Sequence, residues 1–284
     1  EGRQEIWEDP TTLVSASIIP KTRFREKGGD VVVSGRFGFA SGCDHAPWLS
    51  VGGLLPGDQP VPVICALPAE DVIIDHKSWD VIGLRGTGSK DLVIAEEVVV
   101  PGHRVLRVAE SAARRSPGQV HYGRPLYTCP WRTTAILVLA APVIGAAKAA
   151  VRRFQERLDD HFLVALANTQ RNDPAAGYRL AESTAEILAA ELLLYDAAAR
   201  LDQLGGSDEV DPLINASIVR DCGWGVRALA AAVDRLYEAS GANAMRAGEP
   251  MQRLWRDVNA ARSHAILTWD HAANIYGKAL LDNA

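Results

Sequence analysis

Val33-Ser34-Gly35-Arg36-Phe37-Gly38-Phe39-Ala40-Ser41-Gly42-Cys43-Asp44-His45 is the stretch on which the reading of this chain turns. It starts as a β-branched run and gives way to small and hydroxyl residues, so a strand ends in a turn carrying Ser41-Gly42. A second glycine- and hydroxyl-rich segment, Gly83-Leu84-Arg85-Gly86-Thr87-Gly88-Ser89, follows it. Short β-type runs surround both: Val31-Val32-Val33, Trp48-Leu49-Ser50-Val51, Val61 through Leu67, Val72-Ile73-Ile74 and Asp91-Leu92-Val93-Ile94. Gly, Pro, Asp and Lys separate them at near-regular spacing, which predicts an antiparallel sandwich or barrel. Gly28-Gly29-Asp30 has the chemistry of a hairpin turn. Pro101, after Val98-Val99-Val100, ends the ladder.

Beyond residue 133 the apolar period becomes helical. An Ala-rich helix is expected over 135–158, with Pro142 inside it. Asp173-Pro174 opens a second helix to about Leu204, where Gly205-Gly206-Ser207 breaks it. Asp211-Pro212 opens a third, to about Ser240, and Gly241 ends it. Glu249-Pro250 opens a fourth, ending near Leu281. Four such helices predict an up-down bundle, with the Ala runs allowing close packing. The expected architecture is α+β: an antiparallel β-sandwich or barrel over 1–110, a connecting loop over 111–132, and a four-helix bundle over 133–284.

Composition narrows the function classes. The 284 residues are 48% hydrophobic and 23% charged, as in folded soluble proteins. A net charge of -5 argues against a nucleic-acid partner. The four cysteines show no metal-ligand spacing and read as reduced thiols of a cytoplasmic protein, with no metal site. No apolar run of membrane-crossing length and no signal peptide are apparent, so no membrane partner is expected. The chain opens at Glu1-Gly2-Arg3 without an initiator Met, and an N-terminal piece is expected to be absent from this sequence. Residues 83–88 are GxxGxG, not the GxGxxG of a dinucleotide fold, and no βαβ unit surrounds them.

Thr12-Leu13-Val14-Ser15-Ala16-Ser17 with Pro20, then Ser34 to His45, Trp79-Asp80 through Ser89, and Val98 to Pro101 resemble, in that order, the β domain of acyl-CoA dehydrogenase-like flavoproteins. The helical half resembles their C-terminal bundle. Arg253-Leu254-Trp255-Arg256-Asp257-Val258 through His264, Trp269-Asp270-His271 and Tyr276-Gly277 are similar to the two-component flavin-dependent monooxygenases, whose oxygenase components hydroxylate aromatic compounds. The resemblance covers nearly the whole chain. It implies an N-terminal helical domain as the absent piece, reduced FMN or FAD and O2 as cofactors, and a small phenolic or aromatic substrate. It also implies a homotetramer in which the last helices form much of the contact. A separate flavin reductase is implied too, because no NAD(P)H-binding motif is present.

The resemblance also assigns roles. Hydroxylation through a flavin C4a-hydroperoxide needs a dry site and a hydrogen bond at flavin N5. Ser41-Gly42 matches the flavin-facing position, and Ser15 and Ser17 lie on the other matching strand, where alternate spacing puts both on one face. His264, after Ala261-Arg262-Ser263, matches the active-site histidine that takes the phenolic proton; histidine suits this near neutral pH. His271, seven residues on and on the same helix face, is the second choice. Arg132 is the candidate for a flavin phosphate contact, including to a flavin bound mainly by a neighbouring subunit, and His45 a further pocket candidate. His76, His103, His121 and His161 read as loop or surface residues. From the residues alone, the serines also read as turn caps, the histidines as structural and Arg132 as solvated.

Other readings share the fold. An acyl-CoA dehydrogenase-type oxidoreductase would need a carboxylate base. Pro250 to Leu281 contains no Glu, and Val14-Ser15-Ala16-Ser17 stands where that family has Thr-Glu-Pro. An N- or S-oxidising monooxygenase and a subunit that only assembles are the remaining alternatives.

Overall fold

The computed structural model describes residues 1–159, 162–163 and 167–283. The chain divides into two compact units, Glu1–Val81 with Arg85–Tyr122, and Ile82–Leu84 with Gly123–Ala284.

The first unit opens with α1 (Gly2–Ile6) and then builds two four-stranded sheets. Its strands are β1 (Val14–Arg23), β2 (Arg25–Lys27), β3 (Asp30–Ala40), β4 (Trp48–Leu55), β5 (Val61–Pro68), β6 (Ile73–Asp75), β7 (Lys90–Val100) and β8 (Val105–Arg107). One sheet has the order β1-β4-β5-β8 and the other β2-β3-β7-β6. Alternate residues of both sheets, among them Phe37, Leu49, Val51, Cys65, Leu92 and Ile94, form one apolar core. Gly28 and Gly29, at φ 62° and 95°, make the β2–β3 turn.

One pairing departs from the antiparallel expectation: β1 runs parallel to β4, with Ser15 opposite Leu49 and Ser17 opposite Val51. The chain leaves the first sheet after β1, makes β2 and β3 in the second, and returns in the original direction, as a parallel neighbour requires. Alternation of apolar residues reports which face is buried and not which way the neighbour runs.

The stretch expected as a connecting loop over 111–132 is helical in short pieces. α2 (Val108–Ala112) and α3 (Pro117–Tyr122) belong to the first unit, and α4 (Pro125–Thr128) to the second. Pro117 and Pro125 sit in the first turns of α3 and α4, where a missing N–H costs nothing.

The second unit holds α5 (Trp131–Arg157), a short pair β9 (Phe162–Leu163) and β10 (Asn168–Thr169), then α6 (Pro174–Gly206), α7 (Pro212–Ala239), α8 (Pro250–Arg262) and α9 (Trp269–Asp282). The caps follow the sequence. Asp173 accepts from Ala175 N at 3.0 Å, and Asp211 accepts from Leu213 N and Ile214 N at 2.8 and 2.9 Å. Ile136, Ala140, Val143, Ala147, Ala150 and Phe154 line the buried face of α5 at helical spacing. Contrary to expectation, α5 is long and apolar enough to cross a membrane, with a mean hydropathy of 2.0 and 28% of that stretch buried.

The fourth expected helix is two. α8 ends at Arg262, and Leu267 N and Thr268 N both donate to the His264 carbonyl at 2.8 and 3.2 Å, turning the chain before α9 starts. Thr268 is the N-cap residue of α9. His264 and His271 therefore do not share one helix face: the first lies in the turn, the second in α9.

Candidate active site

In the first unit, β3 ends at Ala40 and Ser41 begins the turn that follows. Its pairing with β7 shifts register between Phe37 and Ala40, and Phe39 takes a left-handed φ of 66° in that bulge. Such a conformation costs a non-glycine residue energy and is maintained by its surroundings. The Phe39 ring is 65% exposed and meets Trp79 edge-on at 6.2 Å. Gly42 follows at φ 71°, with nothing within 4 Å of where a Cβ would stand, so backbone lies open beside Ser41.

Five hydrogen bonds fix this turn. The Ser15 hydroxyl donates to the Ser41 carbonyl at 2.8 Å, and the Ser17 hydroxyl to the Gly38 carbonyl at 2.5 Å. Gly42 N donates to the Thr87 carbonyl at 2.8 Å. The Ser41 and Ser89 hydroxyl oxygens are 2.7 Å apart, and Ser89 and Thr87 are again 2.7 Å apart. Ser15 and Ser17 share the buried face of β1. Their protons go to main-chain oxygens, so they brace the Ser41 turn from behind. Ser41 itself is exposed.

The groups around it are settled electrically. Lys90 donates to the Asp44 carboxylate, which holds that carboxyl below the usual range. His76 lies 3.4 Å from the same carboxylate. Burial pushes the Cys43 thiol up, which leaves no thiolate beside Ser41. His45 is exposed in the turn after Gly42. Among the other expected surface histidines, His103 pairs with Glu5 at 3.0 Å and His121 packs edge-on against Tyr122 at 4.9 Å. His161 lies outside the described residues.

In the second unit, the protein packed around the His264 imidazole pushes its pKa below the ordinary histidine value by desolvation, although the residue stays exposed overall. Ile266 N–H points at its Nδ1 from 3.4 Å. That contact is long for a hydrogen bond and favours the proton on Nε2, so accepting a proton at Nε2 requires a change of tautomer. His271 is half-buried in α9. Arg132 is exposed in the first turn of α5, its guanidinium 5.5 Å from the Trp131 ring centre. Asp257 accepts from Leu84 N at 2.7 Å, so its carboxylate clamps the 82–84 segment and is not an idle base. A cavity of about 340 Å³ opens among Ala189, Leu193, Arg220, Asp221, Trp224 and Trp269. Trp269, part of the Trp269-Asp270-His271 stretch, lines it, but none of the residues given a catalytic or flavin-binding role from the sequence does.

The residues thus gather in groups. Ser15, Ser17, Ser41 and Gly42 form one constellation in the first unit, while His264, His271 and Arg132 occupy three places in the second. Sequence reasoning missed Thr87 and Ser89 as partners of Ser41. The signal available was two hydroxyls at alternate positions in a glycine-rich turn. The Ser41 constellation presents a neutral, exposed hydroxyl at an open glycine turn, with an exposed aromatic ring two residues earlier, a donor-acceptor group suited to a ring nitrogen such as flavin N5.

Comparison with known proteins supplies the family. The model for "Acyl-CoA dehydrogenase, C-terminal domain" matches residues 137–269. The chain is 34% identical over 282 residues to the flavin-dependent monooxygenase oxygenase subunit HsaA of Rhodococcus jostii (strain RHA1), covering 98% of this chain and 73% of that protein. It is 32% identical over 298 residues to the FADH(2)-dependent resorcinol hydroxylase oxygenase component of Rhizobium sp. (strain MTP-10005), covering 99% and 72%. The crystal structure of 3-HSA hydroxylase from Rhodococcus sp. RHA1 superposes with a TM-score of 0.90 at 32% identity, over 99% of this chain and 72% of that one. The chain belongs to the two-component flavin-dependent monooxygenases, on the acyl-CoA dehydrogenase-like fold, as an oxygenase component.

Proposed function

We propose that this chain hydroxylates a phenolic compound next to its hydroxyl group, using O2 and reduced FMN or FAD delivered by a separate reductase. When bound, the reduced flavin supplies with O2 an electrophilic oxygen atom. The chain's own residues do the rest. Ser41 holds the flavin ring at N5, with Gly42 allowing close backbone approach. Ser15 and Ser17 keep the Ser41 turn in place from the buried face of β1. Arg132 is the contact for the phosphate of a flavin bound mainly by a neighbouring subunit.

His264 takes the phenolic proton, which raises the electron density of the ring carbon that is to be oxidised. Its lowered pKa supports this, since a neutral imidazole is the form that accepts. His271 is the second candidate for that role. The assembly is a homotetramer in the cytoplasm. The exposed apolar residues Val138 and Leu139 on α5, and Leu188, Leu192 and Tyr195 on α6, support an oligomer.

The observation that carries this reading is the Ser41 turn, an exposed hydroxyl braced by Ser15 and Thr87 in a chain of this family. Ser41→Ala tests it. Turnover with reduced flavin, O2 and a phenol such as resorcinol should shift from hydroxylated product to hydrogen peroxide, with product per flavin falling about tenfold or more. Unchanged coupling would overturn the role of Ser41.

A further inference from the structure

We propose that Thr87 and Ser89 are positioning residues that set the direction of the Ser41 hydroxyl proton, forming a three-hydroxyl chain whose polarity reverses with the redox state of the ring it serves. This rests on the reading of Ser41 as the flavin N5 contact. The chain is continuous, with oxygen separations of 2.7 Å from Ser41 to Ser89 and 2.7 Å from Ser89 to Thr87. Ser89 is only 6% exposed, so its hydroxyl is settled by protein partners more than by bulk water.

The turn also has main-chain hydrogen bonds of its own. Its backbone is closed by Gly42 N to the Thr87 carbonyl, Gly88 N to the Arg85 carbonyl and Lys90 N to the Gly88 carbonyl. A turn-capping serine places its oxygen on a backbone N–H. Here the Ser89 oxygen lies between two other hydroxyl oxygens, those of Ser41 and Thr87.

The chemistry follows from counting protons. Each hydroxyl has one proton to give and two lone pairs. A row of three can point either way along its length, and each bond strengthens the next. With the row pointing outward, Thr87 donates to Ser89, Ser89 to Ser41, and Ser41 presents a proton. With the row pointing inward, Ser41 presents a lone pair and donates its hydrogen bond to Ser89, and Ser89 donates to Thr87. A ring nitrogen that bears no proton when oxidised and one proton when reduced meets a matching partner in both states. No bond other than hydrogen bonds changes, and no proton leaves the row. A lone serine hydroxyl would have to find a new partner from solvent at each change, in a site that works by excluding water.

The test is binding, measured without oxygen or substrate. Oxidised and dithionite-reduced FMN and FAD are titrated against wild type, Ser41→Ala, Ser89→Ala, Ser89→Thr and Thr87→Val. Each titration is repeated with the 5-deazaflavin analogue, which has carbon in place of N5. The ratio of the two affinities reads the contact at N5 alone, and thermal melting confirms that each variant is folded. The wild type should prefer flavin over the analogue in both redox states. Ser41→Ala should abolish the preference. Ser89→Ala should reduce it roughly fivefold in both states, with Thr87→Val smaller in the same direction and Ser89→Thr restoring it. If Ser41→Ala abolishes the preference but Ser89→Ala leaves it intact in both states, the relay is wrong and the Ser41 contact stands. If Ser41→Ala leaves it intact, both are wrong.

Discussion

Burial around the His264 ring keeps its proton off at pH values where an exposed histidine would hold one. The sign has two consequences. As the accepting base, His264 stays neutral below the ordinary histidine value of about 6.5, so the acid limb of kcat/KM should fall below that pH. His264→Ala should lower hydroxylation by about 100-fold or more and remove that limb. A pH–rate profile with the limb unchanged in the variant would place the base elsewhere, with His271→Ala the next variant to measure. For stability, the unfolded chain takes this proton first as pH falls. The contribution of His264 is therefore lost through the ordinary histidine range and gone below its folded value.

Ser15→Ala removes the donor to the Ser41 carbonyl and should cost about 1–2 kcal/mol in chemical denaturation, with weaker flavin binding alongside. At this scale the sequence showed which strand end carried a usable hydroxyl, because Ser41-Gly42 follows a β run directly. It did not show what Ser41 touches, because Ser89 lies 48 residues away in a segment that reads only as a turn.

Among elements, helix starts were legible and the last helix was not. Asp173-Pro174 and Asp211-Pro212 combine a capping side chain with a proline that gives up no bond, and both helices begin there. Asp211→Ala loses two main-chain contacts and should lower stability by about 1–2 kcal/mol in a thermal or urea melt. The last stretch keeps its apolar period through 250–281, so its pattern alone reads as one helix. Thr268 ahead of Trp269-Asp270 is a capping residue followed by an acid in the first turn, and that was the mark of a new start.

Close packing adds a second test at this scale. A Cβ on Gly83 would meet the Arg256 carbonyl oxygen at 2.3 Å. Gly83→Ala should therefore destabilise the helical unit by about 1–3 kcal/mol, measured by the same melts. A neutral result would mean the 82–84 segment is not clamped on α8 as described.

For the whole chain, two sheets followed by a bundle were legible because the hydrophobic period changes from two to 3.6 residues near residue 133. The parallel β1–β4 pair was hidden, since strand direction leaves no trace in alternation. The family resemblance implied a tetramer held by the last helices, but the exposed apolar residues of α5 and α6 were not read as part of it. α5 is apolar along its length yet only 28% of that stretch is buried, with Val138 and Leu139 exposed, and the proposed tetramer gives those residues a partner. Val138→Glu with Leu139→Glu should shift the mass in light scattering from four copies of the 30.6 kDa chain towards smaller species; an unchanged mass would put the interface elsewhere.

The most direct measurement is rapid mixing of the protein, preloaded with reduced flavin, with oxygen and a phenol, followed by flavin absorbance and product analysis. The account predicts a protein-dependent transient before oxidised flavin appears, together with one hydroxylated product molecule per flavin. Immediate reoxidation as in free solution, with hydrogen peroxide as the sole product, would contradict it.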